Sequence, residues 1–131
     1  LREVDTAVNE VLKHTDNLVL MHTNSSYPSP ESELNLSLIP FYKERYDCVI
    51  GYSGHEMDLE PTVVAVVLGA KVIERHITLS HDMWGTDQKS SLEVIAMDML
   101  YKRIKNIDIM IGEPIKHVTK SEVPIKKKLR G

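Results

Sequence analysis

Apolar residues recur along the chain at two spacings, one typical of helices and one typical of buried strands. Residues 4–14 repeat them at intervals of three and four, and the short apolar run "NLVLMHT" follows directly. This order of a helix and then a strand recurs twice more, before a last long helical segment. The predicted helices are 4–14, 32–46, 59–70 and 91–112, and the predicted strands are 17–23, 48–53 and 71–79.

Particular residues mark several of the predicted helix boundaries. Ser32 is suited to cap the second helix, and Pro40 is expected to kink or divide it, because proline lacks an amide N–H. Gly69 is expected to close the third helix, and Gly112 to end the last one.

Helices that alternate with apolar strands predict parallel strands joined by crossovers, which is an α/β fold. Three consecutive units are visible, whereas a complete (β/α)8 barrel needs about 250 residues. The chain also starts inside a helix without a capping residue or a methionine. We therefore expect the second half of a TIM-type (β/α)8 barrel. A small open three-layer sheet that is complete in itself stays open as the alternative.

The composition is that of a globular domain with a core, since 42% of the 131 residues are hydrophobic and 27% are charged. The formal net charge of −3 gives no support for nucleic-acid binding, and the basic residues of "IKKKLRG" form only a short solvated tail. No apolar stretch approaches the ~20 residues that cross a bilayer, so we expect no membrane partner and a cytoplasmic location. Cys48 is the only cysteine, which excludes a disulfide within the chain and predicts a small buried hydrophobic residue.

Polar residues follow each predicted strand, at the end of a parallel sheet where the loops carry the chemistry. His55 and His76 lie one strand-helix-strand unit apart, so we expect them at the ends of neighbouring strands about 4.8 Å apart. Because side chains alternate along a strand, Ser53 shares a face with His55, Glu74 shares one with His76, and Arg75 points the other way. Two imidazoles, a carboxylate and a hydroxyl are thus predicted to surround one point.

Two converging imidazoles indicate a divalent metal site. Neutral imidazole binds first-row metals, and a neighbouring carboxylate or water suits manganese, magnesium or zinc. Such an ion can polarise a substrate carbonyl as a Lewis acid, with Glu74 nearby as an acid, a base or a partner of the ligands. The alternative is that the two histidines are structural hydrogen-bonding groups. Surface or structural roles are expected for the remaining histidines, which are His14, His22, His81 and His117.

The motifs "SSYPSP", "IGYSGHE", "VVLGAKVIERHITL" and "WGTDQKSSLE" resemble the second half of the sialic acid synthase family. The likeness runs in the expected order and spacing from "LVLMHT" to the C-terminal "EVPIKKKLRG". Agreement over several separate motifs is specific, whereas "GYSGH" alone would be weak.

The resemblance implies an enzyme that condenses phosphoenolpyruvate with an N-acylated hexosamine such as N-acetylmannosamine and releases phosphate. It also implies a divalent metal, Mn²⁺ or Mg²⁺, and a homodimer in which a small antifreeze-like domain caps the partner's active site. On this basis residues 1–118 are the second half of the barrel, and residues 119–131 begin a linker toward that domain.

The resemblance also carries over to single positions. His55 and His76 match the metal ligands, and Glu74 matches the carboxylate beside the reacting centre. Among the substrate contacts, Ser53 matches a residue that contacts phosphoenolpyruvate, Asp87 matches one that holds the sugar hydroxyls, and Ser25 and Tyr27 match residues near the substrates. The residues expected to be catalytic are Glu74, Tyr27 and Asp87.

Two features depart from the family pattern. Gln88 follows the aspartate of the "WGTD" loop, where the family commonly has histidine. The basic residues that hold phosphoenolpyruvate come mostly from the first half of the barrel and the capping domain. Because they are missing, this chain alone is expected to be inactive. Half a barrel also leaves two open sheet edges, so the chain is not expected to be a stable monomer. Two other interpretations stay open: another metal-dependent aldolase or sugar-acid synthase, and a non-catalytic half-barrel module.

Overall fold

The computed structural model describes residues 1–130, in which helices and strands alternate. The helices are α1 (Arg2–Leu12), α2 (Leu38–Arg45), α3 (Glu60–Val67), α4 (Val94–Ile104), α5 (Ile107–Ile111) and α6 (Glu122–Arg130). The strands are β1 (Val19–Thr23), β2 (Val49–Gly54), β3 (Val72–Arg75), β4 (Ile77–Thr78) and β5 (Leu92–Glu93), and there are 3-10 helices at Glu31–Glu33 and Gln88–Ser90. Gly131, the last residue of the predicted linker, lies outside the described residues.

Three parallel strands form the centre of the fold. They lie side by side in the order β1-β2-β3, and β4 and β5 form a separate parallel pair. The prediction of an α/β fold with parallel strands is confirmed. The short strand β5 is a fourth strand position beyond the three units visible in the sequence.

One face of the three-stranded sheet carries the core, and the other leaves apolar side chains exposed. On the open face, Val19, Val49 and Val72 at the starts of β1, β2 and β3 are 42%, 46% and 39% exposed. Cys48 was predicted to be buried and is only partly buried, packed against the core; this burial raises the pKa of its thiol. The central cluster of buried core residues, contributed mainly by α2, β2 and α3, consists of Ile39, Tyr42, Ile50, Tyr52, Ala65 and Ala70.

The second predicted helix is shorter than 32–46. Ser32 lies in a 3-10 helix, and α2 begins only at Leu38, after Asn35 adopts a left-handed φ of 46°. The prediction that Ser32 caps this helix is therefore wrong. Pro40 does not divide the helix either, since it lies in the first turn, where its missing N–H would have no intrahelical partner.

The predicted strand 71–79 and the predicted helix 91–112 both divide, so each is wrong as a single element. β3 pairs with β2 whereas β4 pairs with β5, and the chain changes partner at His76, whose carbonyl accepts a hydrogen bond from Leu92 N at 2.8 Å. Pairing with β4 takes the first residues of the predicted helix into β5. The remainder divides into α4 and α5, with the weak helix former Asn106 between them.

The segment after α5 lies exposed on the surface. Every described residue of α6 is exposed, and basic side chains occupy its last turn. Within residues 1–130, no helix has the length and apolar character needed to span a membrane. The assignment of 119–131 as the start of a linker stays a prediction.

A charged cluster ties α1 to α2 on the outside of the fold. Arg45 donates from Nε and Nη2 to the two carboxylate oxygens of Asp5, each at 2.9 Å, and the Tyr46 hydroxyl donates to Asp5 Oδ1 at 2.6 Å. These hydrogen bonds from Arg45 and Tyr46 lower the pKa of Asp5 to about 2.

Replacing Asp5 with Asn should lower thermal stability at neutral pH and matter little in strong acid. Because the folded-state pKa of Asp5 lies below its ordinary value, its contribution is fully present above about pH 4 and is lost as the pH falls toward 2. Thermal melts of the parent and Asp5→Asn, in steps from neutral pH to about pH 2, measure the gap in melting temperature. Asp98→Asn, which removes an exposed pair with Lys102, is the control and should change the melting temperature little. An Asp5→Asn gap of equal size at both ends of the series would contradict the assignment.

Candidate active site

Two histidines converge where β2 and β3 end. His55 follows β2 and His76 follows β3, and their ring centroids are 5.2 Å apart with the ring planes at 62°. Parallel pairing sets this geometry, because Ser53 of β2 lies opposite Glu74 of β3 and the two histidines lie two residues further along. The predicted convergence of the two imidazoles is confirmed as geometry.

Ser53 and Glu74 lie on the same face as the histidines. Ser53 Oγ donates to Glu74 Oε1 at 2.7 Å, which orients the carboxylate. Ser53 and His55 are buried, His76 is partly buried, and Glu74 is exposed. The carboxylate is therefore held at one oxygen while the residue stays accessible from solvent.

The loop after β1 fixes the orientation of His55. His55 Nδ1 lies 2.6 Å from the carbonyl oxygen of Asn24. A carbonyl oxygen only accepts, so Nδ1 carries the proton and the lone pair of the neutral ring is on Nε2. Ser29 N donates to the His55 carbonyl at 3.1 Å, and Ser29 Oγ donates to the Asn24 carbonyl at 3.2 Å. Asn24 was not predicted as a site residue, because it contacts His55 through its backbone carbonyl and not through its side chain.

Tyr27 covers the two imidazoles. Its ring centroid is 4.2 Å from that of His55 and 5.6 Å from that of His76, edge-on to the latter. The side chain is still 46% exposed. Tyr27 therefore lies beside the two histidines, between them and solvent, and its contact with substrate stays a prediction.

Two other predicted site residues lie outside this cluster. Ser25 is exposed in the loop after β1, and Asp87 is exposed in the loop after β4, where Oδ1 accepts from Thr86 Oγ1 at 2.7 Å. Within residues 1–130, neither residue hydrogen-bonds to a side chain of the cluster. Gln88 accepts from Thr78 Oγ1 and donates to the Trp84 carbonyl at 3.3 Å, so it fastens the loop that carries Asp87.

Two of the other histidines have structural partners. His22 is buried on the core face, with Nε2 2.7 Å from the Leu34 carbonyl and its ring packed near Tyr42 and Tyr52. His81 Nε2 lies 2.9 Å from the Ser91 carbonyl. The structural roles predicted for these two residues agree with these contacts.

The donor set at the site fits a divalent ion with open positions. His55 offers an unprotonated Nε2, and the His76 ring lies beside it. Among residues 1–130, no set of three or more His, Cys, Asp and Glu side chains could hold a metal ion. An ion at this point would take its two imidazole ligands from His55 and His76, which would leave open positions in its coordination sphere.

Comparison with known proteins assigns the family. The family model described as the NeuB family matches residues 1–116. This chain belongs to the NeuB family. The predicted resemblance to sialic acid synthases is thereby confirmed.

Curated relatives of this NeuB-family chain are synthases of nonulosonic acids. It is 38% identical over 125 residues to the N,N'-diacetyllegionaminic acid synthase of Campylobacter jejuni, covering 93% of this chain and 37% of the relative. It is 37% identical over 114 residues to the human N-acetylneuraminate-9-phosphate synthase, covering 86% of this chain and 32% of the relative. The chain spans about a third of the length of these two relatives.

A solved structure supports the same NeuB-family fold. The crystal structure of an N-acetylneuraminic acid (sialic acid) synthetase from Leptospira borgpetersenii, in complex with citrate, superimposes with a TM-score of 0.83 at 32% identity. The match covers 98% of this chain and 46% of that chain.

A buried ion pair occupies the core face of the NeuB-family sheet, directly behind the histidines. Arg75 Nη1 donates to Glu56 Oε1 at 2.9 Å, and the two side chains are only 0% and 2% exposed. The Tyr52 hydroxyl and Thr62 Oγ1 donate to the same carboxylate at 2.9 and 3.0 Å. Burial, together with the neighbouring Glu56 charge, raises the pKa of Tyr52. This network was not predicted, although strand alternation had placed Arg75 on this face.

Gly54 is required by the same network. A Cβ atom on Gly54 would lie 2.7 Å from Glu56 Oε2, 2.8 Å from Oε1 and 2.9 Å from Tyr52 Cε1. These distances leave no room for a side chain, so the last residue of β2 must be glycine for the carboxylate to fold back against the strand.

Replacing Arg75 with Met should destabilise the fold by about 3–5 kcal/mol, because it leaves the Glu56 carboxylate buried without a charged partner. Denaturant unfolding followed by circular dichroism measures the loss in free energy of unfolding. Lys102→Met, which removes the charge of an exposed pair with Asp98, is the matched control and should cost less than about 0.5 kcal/mol. Equal losses in the two variants would contradict the burial of the pair.

Proposed function

We propose that the protein to which this chain belongs condenses phosphoenolpyruvate with an N-acylated hexosamine, forming a sialic or other nonulosonic acid and releasing phosphate. We further propose that His55 and His76 hold a divalent ion, Mn²⁺ or Mg²⁺, at this site. The observation that carries the proposal is the convergence of these two imidazoles, 5.2 Å apart, beside Glu74. The names of the curated relatives support the class of reaction.

His55 and His76 are suited to hold the ion as neutral ligands. Donation of the His55 Nδ1 proton to the Asn24 carbonyl fixes the ring and makes Nε2 the more basic nitrogen. A divalent ion held by these two residues would supply Lewis acidity toward the sugar aldehyde oxygen, where negative charge builds as the new C–C bond forms.

Glu74 is suited to the other half of the reaction. As the enol carbon attacks the aldehyde carbon, positive charge develops on the carbon that bears the phosphate ester, and a nearby carboxylate stabilises it. A water molecule then adds to that carbon, and a carboxylate can take the proton that the water loses before the C–O bond to phosphate breaks. The hydrogen bond from Ser53 fixes Glu74 Oε1 and leaves Oε2 for this role.

The other assigned residues complete the proposal around this centre. Tyr27 lies over both imidazoles and is positioned to contact a substrate that approaches them. Ser53 would contact phosphoenolpyruvate, whereas Ser25 and Asp87 would contact substrate from the loops after β1 and β4. For Asp87 this requires the loop to bring its exposed carboxylate toward a bound sugar.

The proposal also includes the larger assembly. Residues 1–118 are taken as the second half of a (β/α)8 barrel and 119–131 as the start of a linker, in a cytoplasmic homodimer. The exposed Val19, Val49 and Val72 support the half-barrel, because apolar side chains on the site-bearing face require cover from further strands and side chains. On this view the chain alone releases no phosphate from phosphoenolpyruvate.

Substituting both histidines tests the proposed reaction. In the protein as its own gene encodes it, His55→Ala with His76→Ala should abolish Mn²⁺ binding and lower phosphate release by roughly a thousandfold, since the Lewis acid is lost. The measurement is release of inorganic phosphate from phosphoenolpyruvate in the presence of a panel of N-acylated hexosamines and their phosphate esters. Simple aldoses are tested in the same assay, because another sugar-acid synthase would use them in place of the N-acylated hexosamines.

His117→Ala is the matched control, because His117 is exposed and bonds only to the nearby Ile115 carbonyl among the described residues. It should keep parental activity. Parental activity in the double variant, or parental protein that consumes no N-acylated hexosamine, would contradict the proposed function.

A further inference from the structure

The buried pair of Glu56 and Arg75 adjoins both histidines along the chain. Glu56 directly follows His55, and Arg75 directly precedes His76. Arg75, the last residue of β3, points to the face opposite His76, and the Glu56 carboxylate folds back from the bend after β2 to meet it. The ion pair therefore lies on the core face, opposite the two imidazoles. A displacement of either backbone segment moves one member of each pair.

Arg75 holds backbone as well as the carboxylate. Its Nη2 donates to the Glu56 carbonyl, and its Nη1 donates to the Asp58 carbonyl at 3.2 Å and to Thr62 Oγ1 at 2.9 Å. One guanidinium thus connects the end of β3 with the loop that leaves His55. These bonds fix the separation and the rotation of the two segments from which the imidazoles project.

We propose that the Glu56–Arg75 pair positions His55 and His76 for their common ion, acting from the opposite face of the sheet. This inference rests on the proposed metal site and assigns to both residues a positioning role. Neither side chain reaches the reacting groups, because both are buried on the core face.

Stability alone is a poor explanation for the pair. Removing two charges from water is costly, and apolar residues of similar volume often stabilise a core as well or better. Arg75 Nε is in addition buried without a hydrogen-bond partner among the described residues. The guanidinium instead donates hydrogen bonds to two backbone carbonyls in the loop that follows His55, those of Glu56 and Asp58, which an apolar pair could not hold.

A double substitution separates positioning from stability. Glu56→Gln with Arg75→Met removes both charges at similar volume, and the amide introduced by Glu56→Gln can still bond to the Tyr52 and Thr62 hydroxyls. The double variant should therefore recover most of the melting temperature that Arg75→Met alone loses. It should nevertheless bind Mn²⁺ at least about tenfold more weakly than the parent, since the backbone bonds to the His55 loop are gone.

The control is Asp5→Asn with Arg45→Met, which removes the partly exposed carboxylate–guanidinium pair that joins α1 to α2. It should change the melting temperature and leave Mn²⁺ affinity within about twofold of the parent. Thermal melts measure stability, and the electron paramagnetic resonance signal of free Mn²⁺ gives the Kd. The ¹⁴N modulation of the bound Mn²⁺ signal reports whether histidine nitrogen binds the ion. All variants are made in the protein as its own gene encodes it.

The outcomes distinguish this inference from the proposed function. A parent that binds Mn²⁺ through histidine nitrogen, with a stable Glu56→Gln/Arg75→Met variant that binds it weakly, supports the positioning role. A parent and a double variant of equal affinity would overturn the positioning role alone. A parent without histidine-bound Mn²⁺ would overturn the proposed site, and the inference with it.

Discussion

The pairing register of β2 with β3 is the constraint on which the rest of the site depends. With Ser53 opposite Glu74, alternation sends the serine, the carboxylate and both histidines to one face. Alternation along β3 sends Arg75 to the core face, where Glu56, from the bend after β2, meets its guanidinium. A slip of β3 by one residue would turn His76 to the core face and Arg75 to the other face, which would separate His76 from His55 and Arg75 from Glu56. Burial of the ion pair therefore specifies this register strongly.

The two faces of the sheet have different roles: one holds the fold together and the other carries the candidate site. The core face combines the apolar side chains of α2, β2 and α3 with one buried charge pair whose carboxylate accepts three side-chain hydrogen bonds. The other face is polar only near the carboxyl ends of its strands, where His55 is fixed by a backbone carbonyl and Glu74 by Ser53. Rigid support beneath two converging imidazoles is the arrangement that a metal-assisted reaction needs, since ligands held in place lose little entropy when they bind.

The sequence predicted the parallel α/β fold and the four polar residues at the strand ends, because short apolar runs and a period of two are local signals. It misplaced the second helix because Asn35, in a left-handed conformation, stops the chain from continuing as a helix, and the last helix because β5 exists only through pairing with the distant β4. The contact of the Asn24 carbonyl with His55 uses backbone, which carries no sequence signal. The pairing of Glu56 with Arg75 requires the chain after β2 to fold back across that strand, which only the three-dimensional structure reveals.

The central claim is that His55 and His76 share one divalent ion. A crystal structure of the protein grown with Mn²⁺, with anomalous diffraction recorded at the manganese edge, tests it most directly. We expect a single anomalous peak within ligand distance of a ring nitrogen of both histidines, with His55 Nδ1 still bonded to the Asn24 carbonyl. A peak elsewhere in the protein, with these two rings free of metal, would contradict the claim.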